Sequence, residues 1–234
     1  MERLLLIGNS RWHWGVGDHF WHCSPAQGLE QFLQQPPQRW AAVGAVPKEL
    51  EAWNQSQIVV EMVPLKNQAI GLGIDRALVG WGAWQRSAGA VLVADAGTAL
   101  SLTLVDSGGA FCGGRIMAGA ALQLHSLNKA TNALPEVLLP EVLLPEVFLP
   151  EGDPLKPAEI WPQNTKAAMS VGVLQGLAAA LCRSYSQMPL LFSGAKLWLT
   201  GGDAELLQPL LIEAGLQPRL ALNLALEALG GLSC

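Results

Sequence analysis

The chain has 234 residues, half of them hydrophobic and 14% charged, with a formal net charge of -5 and a pI near 5.3. That length buries a sizeable core in one large domain or two smaller ones, and the composition excludes a disordered or solvating chain. The acidic balance provides no basic field to release counterions from a phosphate backbone, so nucleic acid is not an expected partner.

Leu4 to Ile7 is apolar on both faces and stops at Gly8-Asn9-Ser10, after which Arg11 to Val16 alternates polar with apolar. This predicts a strand, a tight turn and a second strand. Short strands are expected at Ala41–Val46 and Ile58–Val63, and polar helical stretches at Leu29–Gln35 and Lys48–Gln55. A second cycle opens with Val91 to Ala94 and the turn Asp95-Ala96-Gly97-Thr98. It continues through Leu100–Val105, the turn Asp106 to Gly109, and Phe111–Met117. Leu122, Leu124, Leu127 and Ala130 have helical spacing, as does the segment Lys166–Ser186. Gly172 and Gly176 lie one turn apart there, a spacing that admits a close backbone. The last part repeats the pattern with a strand at Lys196–Leu199, the turn Thr200-Gly201-Gly202-Asp203, and helices from Ala204 and from Leu222. Two halves on one α/β plan are expected, spanning 1–88 and 89–234.

Leu134-Pro135-Glu136-Val137-Leu138 recurs almost unchanged as Leu139 to Leu143 and Leu144 to Phe148, closing with Leu149-Pro150-Glu151. Proline every five residues forbids a regular helix and disfavours a central strand, so an extended surface insertion at about 134–151 is expected. Cys23, Cys112, Cys182 and Cys234 lack paired spacing and are expected as reduced, packed thiols. His13, His19, His22 and His125 show no metal-ligand spacing and are expected as structural or surface groups. The short apolar run after Met1-Glu2-Arg3 is no complete signal peptide. The longest charge-free apolar stretch, Ala167 to Cys182, falls short of the roughly 20 residues of a membrane span, so a buried helix in a cytoplasmic, non-membrane protein is expected.

Three glycine turns follow three apolar strands, at Gly8, Gly97 and Gly201-Gly202, and each can offer backbone N–H groups to phosphate oxygens. A hairpin uses the same residues for local reasons alone. Neither a Walker sequence nor Gly-x-Gly-x-x-Gly after the first strand is present, which excludes the P-loop and dinucleotide folds as natural hosts.

The ordered set Gly8-Asn9-Ser10, Gly73-Ile74-Asp75-Arg76, Asp95-Ala96-Gly97-Thr98-Ala99, Gly113-Gly114 with Ala118-Gly119, Asn164-Thr165, and Thr200-Gly201-Gly202-Asp203-Ala204 resembles the type III pantothenate kinases over nearly the whole chain. The resemblance implies two actin-like (ribonuclease H-like) halves, a homodimer, and transfer of the ATP γ-phosphoryl group to pantothenate with Mg²⁺ and a monovalent cation, K⁺ or NH₄⁺. It implies Asp75 as the base toward the substrate hydroxyl, with Gly73, Ile74, Arg76 and Thr165 at pantothenate. It also implies Gly8, Asn9, Ser10, Arg11, Gly97, Thr98, Gly201 and Gly202 at ATP, and Asp95 at the monovalent cation. Read from residue chemistry alone, Asp75 and Arg76 serve equally as first-turn helix charges, Asp95 as a turn cap, and both threonines as local hydroxyls.

One departure stands out. The family's first motif reads Asp-x-Gly-Asn-Thr, but here Leu6 holds the Asp place and Ser10 the Thr place. Leu6 leaves open two alternatives to an active pantothenate kinase: a non-catalytic actin-like relative, and a kinase of the same fold acting on another small alcohol.

Overall fold

A computed structural model describes residues 1–44, 46–139, 160–189 and 192–232. The first sheet has order β3-β2-β1-β4, with β1 (Arg3–Ile7), β2 (Trp12–Val16) and β3 (His19–Cys23) forming an antiparallel meander and β4 (Arg39–Ala42) lying parallel to β1. The second has order β7-β6-β5-β8-β9. There β5 (Val91–Ala96), β6 (Ala99–Val105) and β7 (Phe111–Ala118) make the meander, while β8 (Lys196–Thr200) and β9 (Arg219–Leu220) run parallel to β5. Both sheets thus repeat one plan: three antiparallel strands, then a parallel strand on the far side of the first. The described helices are α1 (Pro25–Gln34), α2 (Ile74–Gln85), α3 (Ala120–Ala130), α4 (Thr165–Ser186), α5 (Ala204–Glu213) and α6 (Leu224–Gly230).

Alternating side chains divide the core into layers. From β1, Leu5 and Ile7 pack with Trp12, Trp14, Phe32 and Trp40 on the α1 side. Leu4 and Leu6 point the other way, into a middle cluster with α2, α6 and, from the second sheet, Val91, Val93, Val105 and Trp198. Leu92, Ala94 and Ala96 face outward to α3, α4 and α5. Helix α4 therefore places Met169, Val173, Leu174, Leu177 and Leu181 in the core. The last helix of the chain returns to the first sheet, and the Arg86–Glu227 pair at 2.5 Å ties it to the end of α2.

Some expected bounds move, each for a local reason. Helix α1 begins at Pro25, before Leu29, because Ser24 and Gln27 form a reciprocal capping box and Pro25 suits the first helical position. Strand β4 ends at Ala42, short of Val46, where the chain turns through Gly44 at φ 86°. The strand expected at Ile58–Val63 does not form. Pairing with β4 is limited to a bridge from Gln57 to Trp40, and Val60–Met62 is a 3-10 turn that still buries Ile58 and Val63. The helix expected over Lys48–Gln55 is a 3-10 helix, Lys48–Ser56. No backbone approaches Gly172 or Gly176 among the described residues. The repeat begins as expected without helix or strand, but Leu134, Val137 and Leu139 pack on the outer core; its residues 140–151 lie outside the described residues, as does Cys234.

The crossing of α2 and α6 depends on Gly82, where a Cβ would come 2.8 Å from the Ala228 Cβ, whereas one at Gly172 would meet nothing within 4 Å. Gly82→Ala is expected to destabilise by about 1–3 kcal/mol through overpacking. Gly172→Ala is expected to be neutral or to stabilise by up to about 1 kcal/mol through helix propensity. Denaturant melts of the two variants check the contrast.

Candidate active site

The equivalent first turns of the two sheets meet. Ser10 Oγ in the β1–β2 turn and Thr98 Oγ1 in the β5–β6 turn are 2.7 Å apart, although 88 residues separate them in sequence. The Gly8 N–H donates to the Arg11 carbonyl at 3.0 Å, closing the first turn, and a Cβ on Gly8 would press within 2.8 Å of that oxygen. The second turn is held by the Gly97 N–H to Ala99 O and the Gly119 N–H to Thr98 O, both 3.0 Å. A Cβ at Gly119 would collide with the Gly97 carbonyl, so only glycine lets α3 start this close to the turn.

Gly201 forms the third turn, after β8. Its φ of 92° lies in the left-handed region, and a Cβ there would strike the Ala96 carbonyl and lie 2.6 Å from Asp95 Oδ1. A Cβ at Gly202 would meet nothing within 4 Å. Asp203 donates its N–H to Ala96 O at 2.8 Å, fixing this turn to the end of β5. The three glycine turns found in the sequence are therefore assembled around the ends of β1, β5 and β8.

The carboxylates come from two different elements. Asp75 sits in the first turn of α2, whose N-cap is Gly73. The Asp75 oxygen folds over Gly73, in the space a Cβ would fill, and makes no hydrogen bond or ion pair with any described residue. It does not cap its own helix through a side-chain bond. Asp95 points from β5 toward the α2 side, and some of its surface stays open to the cleft. Burial, and secondarily the Asp75 charge, push its carboxyl up to about 7. Directly opposite it in the β5–β6 register, Ser101 Oγ is buried without a partner. A carboxylate and an orphaned hydroxyl on one face form a donor set that suits a hard monovalent cation. Leu6, by contrast, is buried in the middle cluster and offers Mg²⁺ no oxygen. No group of three acidic, histidine or cysteine side chains fit for a metal occurs among the described residues.

Ile74 is buried in the middle cluster, which leaves its backbone to face the cleft. Arg76 reaches back across β6 and β7, with Nε 3.4 Å from Thr103 Oγ1, Nη2 3.5 Å from Leu102 O, and its guanidinium 5.5 Å from the Phe111 ring centroid. Both bonds are near the limit for such contacts. A Cβ at Gly114 would collide first with the Leu102 carbonyl of β6 and then with the Arg76 guanidinium, and the backbone clash accounts for the glycine there. Burial lowers the Arg76 pKa, while the neighbouring Asp75 raises it. Thr165 opens α4 behind the N-cap Asn164, whose side chain accepts from Ala167 N at 2.8 Å. No hydrogen bond or ion pair joins Thr165 to the Asp75–Asp95 group among the described residues. Reading the sequence passed over Ser101, which only the register of β5 against β6 sets opposite Asp95. Asp203, expected only as part of the turn after β8 and of the family motif, also lies within reach of the Arg11 charge. The Asp203 carboxyl is raised by burial, with the Ala120 N–H and the Arg11 charge acting the other way.

Because the Asp95 carboxyl is raised from 3.8 to about 7, the folded chain holds a proton there that the unfolded chain has released. Stability attributable to Asp95 therefore falls as pH rises from about 4 to about 7 and levels off above. Melting temperatures over this window should decline more steeply for the parent protein than for Asp95→Asn; parallel curves would contradict the assignment.

Comparison with known proteins agrees with this geometry. A model of the family described as type III pantothenate kinase matches residues 39–187. The type III pantothenate kinase of Synechococcus elongatus is 36% identical over 91% of this chain and 89% of its own length. That of Synechococcus sp. strain JA-3-3Ab is 34% identical over 98% and 92%. Among solved structures, a protein described as a Baf family transcriptional activator from Campylobacter jejuni aligns with a TM-score of 0.63 at 20% identity, covering 98% of this chain and 96% of that one. The activator of 2-hydroxyisocaproyl-CoA dehydratase from Clostridium difficile, with bound ADPNP, aligns with a TM-score of 0.53 at 9% identity over 97% and 92%. These likenesses establish the fold as actin-like, two mixed sheets flanked by helices. The chain belongs to the type III pantothenate kinase family.

Proposed function

We propose that this chain is an ATP-dependent kinase that phosphorylates pantothenate to 4'-phosphopantothenate, the first step of coenzyme A biosynthesis. The observation that supports the reading is the Asp75 carboxylate, without a partner among the described residues and near enough to Asp95 for its charge to be felt there. ATP supplies the γ-phosphoryl group. Asp75 orients the alcohol and takes its proton as the bond to phosphorus forms. Backbone N–H groups of Gly8, Asn9, Gly97, Gly201 and Gly202, with the Ser10 and Thr98 hydroxyls and Arg11, hold the phosphates. Arg76, with only long bonds to give up, turns to the pantothenate carboxylate, helped by Gly73, Ile74 and Thr165. Asp95 and Ser101 hold K⁺ or NH₄⁺. Leu6 gives Mg²⁺ no ligand, so any Mg²⁺ would arrive with the phosphate oxygens of ATP, where it would neutralise charge.

The halves 1–88 and 89–234 close on the nucleotide between them. The enzyme works in the cytoplasm as a homodimer, for which Ile116 on the edge strand β7 and Leu122 and Leu127 on α3 supply exposed apolar surface. Thr165 reaches the partner's site. Leu6 favours one second reading, a non-catalytic relative on the same scaffold.

ADP release measured with and without pantothenate and K⁺ separates the readings. Activity should require both, and Asp75→Asn should lower kcat by about 100- to 10,000-fold with an unchanged melting temperature. A fully active Asp75→Asn protein would overturn the mechanism. Absent turnover, with a melting temperature indifferent to ATP and pantothenate, would establish the non-catalytic relative. Turnover with other small alcohols but not pantothenate would assign a different substrate.

A further inference from the structure

Leu6, His13 and His22 are direct cross-strand partners on β1, β2 and β3. Partners directly opposite in antiparallel strands project from the same face, so the three form a row. It is the face on which Leu4 and Leu6 meet the middle cluster and on which Leu226 of α6 covers Gly15. That cover ends toward the first turn: His13 is half-buried and His22 exposed. The two rings lie 6.2 Å apart, His13 Nε2 would sit 3.5 Å from a Cβ at Gly8, and Arg11 Nη1 is 3.0 Å from His22 Nε2. Two imidazoles and a guanidinium therefore flank the turn Gly8-Asn9-Ser10, next to the position where Leu6 replaces a carboxylate.

The cluster is unbalanced in charge. A guanidinium cannot give up its proton, so in the Arg11–His22 contact the guanidinium donates and Nε2 accepts. Burial lowers the His13 pKa, and the His22 and Arg11 charges lower it further. The charged groups around the row are Arg11 in the turn, Asp203 beyond it, which senses the Arg11 charge, and Glu227 on α6, which is paired with Arg86. None of the three basic groups has a carboxylate ion-pair partner among the described residues. An anion arriving at the turn would meet guanidinium and imidazole N–H groups that no carboxylate among the described residues engages in an ion pair.

We infer that His13, His22 and Arg11 form a polyphosphate-binding row beside the first turn, taking the terminal phosphates of a nucleoside triphosphate. The inference rests on the kinase reading above for the identity of that ligand, and it deepens that reading. The row supplies positive charge on the strand where Leu6 can no longer recruit a metal. Binding in this way is stronger at pH values where imidazoles in general carry a second proton.

Inorganic tripolyphosphate, in buffer containing EDTA, is the probe, read by calorimetry on the full chain. The parent protein is expected to bind it about tenfold more tightly than the His13→Gln/His22→Gln double variant at about pH 6. The gap should narrow to within about twofold by about pH 8.5, where imidazoles are neutral. Equal affinities at both pH values would overturn the row, as would binding that appears only when Zn²⁺ replaces EDTA. Because His22 is exposed, His22→Gln alone provides a folded comparison should the double variant melt early, with the same expected sign and a smaller gap. His-dependent tripolyphosphate binding without pantothenate-dependent ADP release would keep the row and remove the kinase reading. Pantothenate turnover with a tripolyphosphate affinity unchanged in the variants would do the reverse.

Discussion

The placing of helix α2 between the two sheets is the constraint from which the rest of the cleft follows. Eight of its twelve residues are buried, from Ile74 through Ala83, and its two glycines mark the closest approaches. A Cβ at Gly80 would lie 3.1 Å from Thr103 Cγ2 on β6, and one at Gly82 2.8 Å from the Ala228 Cβ on α6. A helix gripped on opposite sides cannot slide along its axis without breaking both contacts. Its N-terminus is accordingly fixed opposite the end of β5, and Asp75, in the first turn, is held near Asp95. A carboxylate in the first turn of a helix is favoured by the unpaired N–H groups there, which partly offset the cost of setting two acids close together.

Periodicity was enough for the elements whose pattern is local. Double-sided apolar runs gave β1 and β5 because each is packed on both faces, and helical spacing gave α3 and α4 to within a residue or so. Two of the failures share one cause, side-chain chemistry that hydrophobic pattern does not record. The start of α1 was written in Ser24, Pro25 and Gln27, a capping box that apolar spacing ignores. Strand β3 went unread because His19-Phe20-Trp21-His22-Cys23 sets two adjacent aromatics between histidines and shows no alternation of apolar with polar residues. Its partner across β2 is what turns two scattered histidines into neighbours, so missing the strand hid the row.

The glycine turns were legible as turns, and their order carried the family resemblance, but sequence alone could not tell which glycines face a ligand. The structure separates them by what a Cβ would meet. Gly119 and Gly201 are required by backbone carbonyls of the β5–β6 turn, and Gly114 by the Leu102 carbonyl on β6; their job is to bring parts of the protein together. Gly97 and Gly202 would meet nothing within 4 Å, so local packing does not demand glycine at either position. Those two have backbones free to be approached closely by something the chain itself does not provide.

Charge in the cleft is sorted by sheet. The acids, Asp75 and Asp95, belong to α2 and the second sheet, while Arg11, His13 and His22 belong to the first sheet and its turn. In a chain of net charge -5 such local sorting matters more than the total, because fields across a narrow, partly dry cleft are poorly screened. On the proposed kinase reading, the first-sheet cations and the glycine turns of both sheets would draw a polyphosphate, while the Asp75 and Asp95 carboxylates would keep it out of the space before Asp75. Asp95 resists this arrangement only while it lacks a cation, since a carboxylate with a pKa of about 7 carries a full negative charge only on the alkaline side of neutrality. Filling that position with a monovalent cation would cancel the repulsion Asp95 exerts on the phosphates without drawing them off the first turn.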